Sequence, residues 1–194
     1  MNHTSNYQLP QWEESDRILR TDFNGAMNKI EEGLTGLEGQ APAVKLREFT
    51  VSQAAASVSL DLSGLDLAAY PALRLRAESG GAVNAAVGLR VNGLESDYEY
   101  RSPSSLNPIT DSMITLGSYG EFSVTVELRP FGSWLAYHTD GLNYSGSRVS
   151  GVWNRGIHRQ ASYGQITSLQ LVCLGDEGEQ VAAGTKVVLY GLRE

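Results

Sequence analysis

The first pattern along the chain is helical and covers residues 15–37. Apolar side chains recur at steps of three and four, namely Leu19, Phe23, Ala26, Ile30 and, after Gly33, Leu37. This spacing places them in one narrow stripe, which is typical of a coiled-coil seam and narrower than the apolar face of a globular helix. Ser15 or Asp16 is the predicted N-cap of this helix.

A helix of this length is marginal on its own in water, because a short helix does not recover the cost of nucleation. Two interior glycines, Gly25 and Gly33, weaken it further. We therefore expect the stripe to be covered by self-association or by docking on another protein. The alternative is that the helix lies across its own domain.

From Ala43 onward the apolar positions follow a period of two. Val58, Leu60 and Leu62 alternate with polar residues, and so do four positions between Phe122 and Leu128. Each such segment predicts a strand with one solvated face. Asn92-Gly93 predicts a β-hairpin between the strands expected at residues 83–91 and 94–100. The apolar segment Ile166–Leu174 predicts a central strand buried on both faces.

About ten or eleven short strands follow residue 43, without a convincing helix among them, which predicts an antiparallel β-sandwich of jelly-roll type. The predicted fold class is therefore mainly β, with a short coiled-coil-like α-helix at the N-terminus. The predicted organisation is an anchoring and oligomerisation segment at residues 1–38, a Gly- and Pro-containing linker at 39–42 and a β-sandwich domain at 43–194.

The composition of the chain argues against several classes of binding site and structural feature. The 194 residues include 15 Lys and Arg against 22 Asp and Glu, a net charge of −7, which disfavours non-specific binding to nucleic acid. A single cysteine forbids an internal disulfide and a Cys-rich zinc site. Neither an apolar run of about 18 residues nor a signal-peptide pattern occurs. We therefore expect a protein made in a reducing cytoplasm, without membrane insertion.

Catalytic motifs are absent from the sequence. It has no dinucleotide fingerprint, no P-loop, no nucleophile elbow and no His-Glu-x-x-His pattern. Cys173 lies inside an apolar segment and is expected to be a core residue. Asp97 and Glu99 have the spacing of a glycosidase carboxylate pair, but polar alternation along a strand explains both. We predict no enzymatic activity, no cofactor and no metal site.

One segment differs from the acidic background. Between Gly141 and Gly175 there is no Asp or Glu, while arginines and aromatic residues alternate. Aromatic rings stack on sugar rings, and arginine binds phosphate or carboxylate through two hydrogen bonds. This predicts a surface for an anionic glycan, such as a phosphate-bearing wall polymer. The predicted ligand residues are Trp134, Tyr137, Tyr144, Arg148, Trp153, Arg155, His158 and Arg159. The alternative is that the two tryptophans are core residues and the arginines form a solvated rim or a subunit contact.

Two sets of motifs resemble a known family. A Tyr-x-Leu-x-x-Trp lead, Tyr7 to Trp12, precedes Asp22-Phe23-Asn24 and Lys29-Ile30. This arrangement resembles the opening of tail-fibre and baseplate-appendage proteins of phages and prophages of Gram-positive bacteria. The segments 166–171 and 184–192 are similar to the last two strands of β-sandwich domains in phage structural and receptor-binding proteins.

The resemblance implies a virion structural protein that forms a homotrimer through its helix and is held by other virion proteins through residues 1–38. The residues implied in anchoring are Tyr7, Leu9, Pro10 and Trp12. It further implies a tail or baseplate tip, located on the virion, that contacts a host cell-wall polysaccharide, and it implies no catalytic residues. The alternatives are a capsid-attached head fibre or decoration protein with a structural role only, and a free carbohydrate-binding module.

Overall fold

The structure is a computed structural model that describes residues 2–17, 19–101, 109–111, 113–174 and 178–193. The chain divides into two compact units, Met1–Pro42 and Ala43–Glu194. The described residues contain one α-helix, in the first unit, and the second unit is built from strands. The prediction of a mainly β chain with one helix near the N-terminus is confirmed.

The first unit pairs a helix with the segment that precedes it. The two-residue strands β1 (Asn2–His3) and β2 (Pro10–Gln11) are antiparallel, and helix α1 covers Arg20–Gln40. We call residues 2–17 the N-terminal lead. The Lys29 ammonium donates a hydrogen bond to the Gln8 carbonyl at 2.7 Å, so the lead folds back along the helix.

Both ends of α1 differ from the prediction. The Asp16 carboxylate accepts a hydrogen bond from the Glu13 N–H, which closes a turn within the lead instead of capping the helix. The helix begins at Arg20, and the Leu19 carbonyl accepts its first hydrogen bonds. It continues to Gln40, so the first two residues of the predicted linker are helical. Glycines in this segment do not end the helix, although each lowers its intrinsic stability.

The second unit contains eleven strands in chain order among its described residues. They are β3 (Ala43–Thr50), β4 (Ser57–Asp61), β5 (Ala72–Glu78), β6 (Val83–Val91), β7 (Tyr98–Arg101), β8 (Ile109–Asp111), β9 (Ile114–Phe131), β10 (Trp134–Ser145), β11 (Arg148–His158), β12 (Ser168–Leu174) and β13 (Lys186–Leu192). Every pairing between them is antiparallel.

Strand β9 takes part in two layers of the sheet. Its C-terminal half pairs with β5 and β10 in the order β3-β13-β5-β9-β10-β11-β7-β8, which we call the main sheet. Its N-terminal half pairs with β6, which continues into β12 and β4. The two halves meet at Tyr119 and Gly120, where φ is 54° and 154°. A Cβ built on Gly120 would lie 1.7 Å from the Tyr144 carbonyl oxygen, so this close approach requires glycine.

The core collects side chains from both layers, which gives the unit a sandwich-like arrangement. Alternate residues of β9, from Phe122 to Leu128, are buried, as the period of two predicts. Leu169 and Leu171 of β12 are fully buried in the same cluster. The predicted central position of β12 is correct, since it lies between β4 and β6. The prediction that it is buried on both faces is wrong, because Ser168, Gln170 and Cys173 are half-buried and Leu174 is exposed.

The turn at Asn92-Gly93 forms, but it does not join a paired hairpin. Both residues have positive φ, 53° and 69°, as the sequence predicts. However, β6 pairs with β12 and β9, whereas β7 pairs with β11 and β8. The Asn92 side-chain oxygen accepts hydrogen bonds from the backbone of Thr167 and Ser168, which ties the turn to the start of β12 instead.

Candidate functional site

The candidate ligand surface lies on the outer face of β10 and β11. In their register His138 is opposite Arg155, and Asp140 is opposite Trp153. Because side chains alternate across a sheet, even-numbered residues of β10 and odd-numbered residues of β11 share this outer face. Trp134, Tyr144, Trp153 and Arg155 therefore lie on it, as the glycan-site prediction requires.

Three other predicted ligand residues occupy the opposite face. Tyr137 and His158 are 4% and 0% exposed, so their side chains are packed in the core and offer almost no surface to a sugar. Arg148 is exposed, but it pairs with Ser145 and falls on the opposite face from Tyr144 by register. The prediction is corrected at Tyr137 and His158, because the sequence pattern did not separate the two faces of the strands.

The centre of the outer face holds a small aromatic and basic cluster. The Arg155 guanidinium lies 5.1 Å from the centre of the Trp153 ring, a cation–π arrangement. The His138 ring meets the same tryptophan edge-on at 6.0 Å. Trp153 is 37% exposed. Part of its indole therefore remains accessible to a ligand.

Beside this cluster lies a cleft of about 390 Å³, which we call the outer cleft. Its lining residues are Glu127, Arg129, Ala136, Tyr137, His138, Arg155 and Gly156. The His138 Nε2 atom is buried and has no hydrogen-bond partner among the described residues.

Some of the charged residues around the outer cleft are already ion-paired within the chain, and others are not. Arg74 bonds Glu127 at 3.0 Å, and Arg129 pairs with the same carboxylate. Burial pushes the pKa of Glu127 upward, but the hydrogen bonds from the two arginines outweigh it, and its pKa is lowered overall. Arg155 forms no ion pair with any residue that the structure describes. It is therefore the cation best placed to meet an anionic group.

Trp134 and Arg159 form a separate cluster at one end of the strands. The Arg159 guanidinium lies 5.4 Å from the centre of the Trp134 ring, and Phe131 packs beside that ring at 6.4 Å. Arg159 also forms a salt bridge with Glu99 at 3.0 Å. Its charge is already paired, so this cluster offers an aromatic surface more than a free cation.

The predicted residues therefore make several small clusters instead of one site. Along β10, Trp134 is four residues from His138 and ten from Tyr144, or about 14 and 34 Å at about 3.4 Å per residue. One sugar does not span these distances. His138, Glu127 and Arg129 line the outer cleft but were not in the predicted set. The sequence analysis selected aromatic residues and arginines in and just before the acid-free segment, whereas the register of β9, β10 and β11 brings these three residues to the cleft.

Asp97 and Glu99, the carboxylate pair with glycosidase-like spacing, both form polar contacts with other side chains. Asp97 lies in a turn with φ of 67°, not in a strand, and accepts a hydrogen bond from the Gln160 side chain. Glu99 is salt-bridged to Arg159. Cys173 is half-buried in β12, and burial raises the pKa of its thiol, which reduces the fraction of reactive thiolate.

His158 and Tyr98 form a buried structural pair behind this face. The His158 Nδ1 atom accepts hydrogen bonds from the N–H groups of Gln160 and Ala161, both at 3.1 Å. Its ring meets Tyr98 edge-on at 4.2 Å. Burial lowers the pKa of His158 and raises the pKa of Tyr98 to about 12. Both side chains are neutral at pH 7 and hold backbone in place.

A second candidate surface runs along α1. Of the predicted oligomerisation residues, Leu19, Phe23, Ile30 and Leu37 are exposed, whereas Ala26 is only 8% exposed. Ala26 is already covered within one chain and does not add to an exposed stripe. Of the predicted anchoring residues, Tyr7 is exposed, and Leu9, Pro10 and Trp12 are half-buried.

In the part of the chain that the structure describes, no three His, Cys, Asp or Glu side chains gather into a possible metal site. No helix there has the length and apolar character needed to span a bilayer. Comparison with protein-family models and with curated protein sequences gives no match.

Proposed function

We propose that the chain is a structural protein of a phage or prophage particle, a homotrimeric tail or baseplate tip that contacts an anionic glycan on the host surface. The observation that carries this proposal is the row of large apolar side chains exposed on α1. Phe23, Ile30 and Leu37 leave about half of their surface in water in a single chain. Contiguous exposed apolar surface of this kind is typical of an interface between proteins.

The outer cleft supports the glycan part of the proposal. The Trp153 ring presents an aromatic surface for the apolar face of a sugar, and Arg155 beside it supplies a cation for phosphate or carboxylate. A single shallow site of this size binds weakly. Three linked copies bind a repetitive wall polymer more tightly than one, because each later contact is intramolecular.

The finer fold belongs to the same proposal: we infer a jelly roll preceded by a coiled-coil helix. In an eight-stranded jelly roll, strands one, eight, three and six form one sheet, and strands two, seven, four and five form the other. β3, β13, β5 and the C-terminal half of β9 follow the first order, and β4, β12, β6 and its N-terminal half follow the second. This match supports a jelly roll whose fifth and sixth strands are continuous.

The proposal is tested on the full chain in two steps. Light scattering or native mass spectrometry gives the oligomeric state, for which we expect a trimer. An array of phosphate-bearing and neutral wall polysaccharides then tests binding, which we expect for the phosphate-bearing ones. Trp153→Ala and Arg155→Ala should abolish the signal, while Arg76→Ala, an exposed arginine outside the outer cleft, should retain it. A monomer would contradict the virion proposal, and equal binding by all three variants would contradict the assigned site.

A second candidate, a capsid-attached fibre or decoration protein without a ligand, is favoured by one observation. The predicted ligand residues are separated along the strands, and Tyr137 and His158 are buried. A trimer that binds no polysaccharide on the array would support this candidate over a host-binding tip.

A further inference from the structure

The exposed apolar row on α1 is a regular heptad seam. Its members are Phe23, Met27, Ile30, Leu34 and Leu37, each between 39% and 58% exposed. The steps between them are four, three, four and three, without interruption. In heptad notation Met27 and Leu34 occupy position a, and the other three occupy position d. Compared with the seam predicted from the sequence, Met27 and Leu34 replace Ala26 and Gly33.

The lead explains why the seam is rotated. Ala26 and Gly33 both occupy heptad position g, on the flank of the helix where the lead packs. A Cβ built on Gly33 would lie 3.1 Å from Cε1 of Tyr7, so the small residue admits the tyrosine ring. The hydrogen bond from Lys29 to the Gln8 carbonyl fixes the lead on the same side.

Between the lead and the seam lies an apolar groove of about 220 Å³, which we call the helix groove. Its helical wall is formed by Ile30, Gly33, Leu34 and Leu37, and Tyr7 and Leu9 form its outer wall. The four helical residues occupy heptad positions d, g, a and d. In a parallel coiled coil, four facing residues of this kind make the hole that receives a side chain from position a of the neighbouring helix.

We propose that the helix groove receives Leu34 of another copy of this chain, in a parallel assembly in which the lead forms part of the interface. This inference rests on the self-association proposed above and specifies its geometry. Tyr7 and Leu9 then contact a neighbouring copy of the same chain, which differs from the anchoring role that the family resemblance implies for them.

The exposed area indicates how strong such an assembly would be. A side chain of this size at half exposure leaves on the order of 100 Å² accessible, so the five seam residues offer about 500 Å² per copy. In a trimer the buried seam area is divided among three pairwise interfaces of about 500 Å² each, a size typical of weak, concentration-dependent association. Tyr7 and Leu9 of the lead enlarge each interface.

The charges beside the seam favour parallel helices. Glu31 occupies position e. In a parallel arrangement position e faces position g of the neighbour, which holds the uncharged Ala26 and Gly33 with the lead packed beside them. In an antiparallel pair position e faces position e, and Glu31 faces another Glu31 when the two helices cross at that residue. Like charges so placed disfavour the antiparallel form.

The test follows assembly of the full chain against concentration by analytical ultracentrifugation. Leu34→Ala and Tyr7→Ala are expected to raise the concentration at half-assembly by roughly tenfold or more, because each removes apolar contact from the groove. Leu142→Ala, at an exposed leucine of the second unit, is the matched control and should leave it unchanged. The helical circular dichroism of the full chain checks that α1 still forms in each variant.

Orientation is tested by cross-linking. In Cys173→Ser/Leu37→Cys, a parallel assembly brings the new thiols together, and oxidation should give a covalent dimer on a denaturing gel. Assembly without that cross-link would overturn the parallel arrangement. An unchanged midpoint in Leu34→Ala or Tyr7→Ala would overturn the groove while leaving self-association intact. A wild-type chain that stays monomeric at every concentration would overturn this inference and the proposed function together.

Discussion

Mild acid should destabilise the second unit through His158. In the folded unit this side chain is fully buried and neutral, and its Nδ1 accepts two backbone hydrogen bonds. Burial lowers its pKa, although the carboxylate of Asp97 acts in the opposite direction. In the unfolded chain a histidine binds a proton below about pH 6.5. The stabilising contribution is therefore complete above pH 6.5 and is lost as the pH falls from there through the lowered pKa of the folded state.

The size of the effect follows from the two hydrogen bonds. Protonation of Nδ1 would leave the N–H groups of Gln160 and Ala161 without their acceptor, at a cost of about 1–3 kcal/mol each. Because His158 takes up a single proton, the free energy of unfolding falls by at most about 1.4 kcal/mol per pH unit. We therefore expect the free energy of unfolding to fall by about 1 kcal/mol between pH 6.5 and 5.5.

Urea denaturation of the full chain at pH 7.5, 6.5 and 5.5 measures this dependence. His158→Leu should be less stable at pH 7.5, because the two N–H groups lose their acceptor, and should depend less on pH between 6.5 and 5.5. Leu171→Ala, which removes buried apolar volume but no titrating group, should keep the wild-type pH dependence. The ion-paired carboxylates do not interfere, since the pKa of Glu48 lies at about 2 and that of Glu127 is lowered. An equal pH dependence in wild type and His158→Leu would refute the reasoning.

Three further changes test the fold by the same denaturation assay. Leu171→Ala, at a fully buried position in β12, should cost about 2–5 kcal/mol, and a loss below about 1 kcal/mol would contradict its place in the core. Gly120→Ala should cost more than about 2 kcal/mol or prevent folding, because its Cβ meets the Tyr144 carbonyl oxygen; wild-type stability would contradict that close approach. Asn143→Leu removes two hydrogen bonds with the Ser118 backbone, at 3.1 and 2.8 Å. We expect a loss of about 2 kcal/mol, and no loss would show that water replaces the amide.

Local patterns predicted the elements, whereas the pairing of those elements depends on distant residues. The alternation from Phe122 to Leu128 predicted its strand, because burial of one face determines which residues a strand uses. In β12 the buried residues Leu169 and Leu171 alternate with Ser168 and Gln170 in the same way. The turn at Asn92-Gly93 was equally visible. The segment that this turn contacts could not be predicted, since the Asn92 side chain binds the backbone of Thr167 and Ser168, which lie 75 and 76 positions further along the chain.

The seam of helix α1 also depends on residues outside the local pattern. The spacing of Phe23, Ile30 and Leu37 was visible in the sequence, but two neighbouring stripes share these residues. One stripe continues through Ala26 and Gly33, and the other through Met27 and Leu34. Only the folded lead distinguishes them, because Tyr7 occupies the flank beside Gly33.

The glycan-site prediction failed at Tyr137 and His158 for a reason that narrows the proposed site. A search for residue types within a segment treats both faces of a strand alike, while a ligand meets only one. In the β10–β11 register, Tyr137 lies opposite Gly156 on the inner face, and a Cβ built on that glycine would lie 2.4 Å from the tyrosine ring. The glycine therefore makes room for an inward-facing tyrosine. With the inner face used for packing, the proposed site for an anionic sugar is limited to Trp153 and Arg155 on the outer face, beside His138.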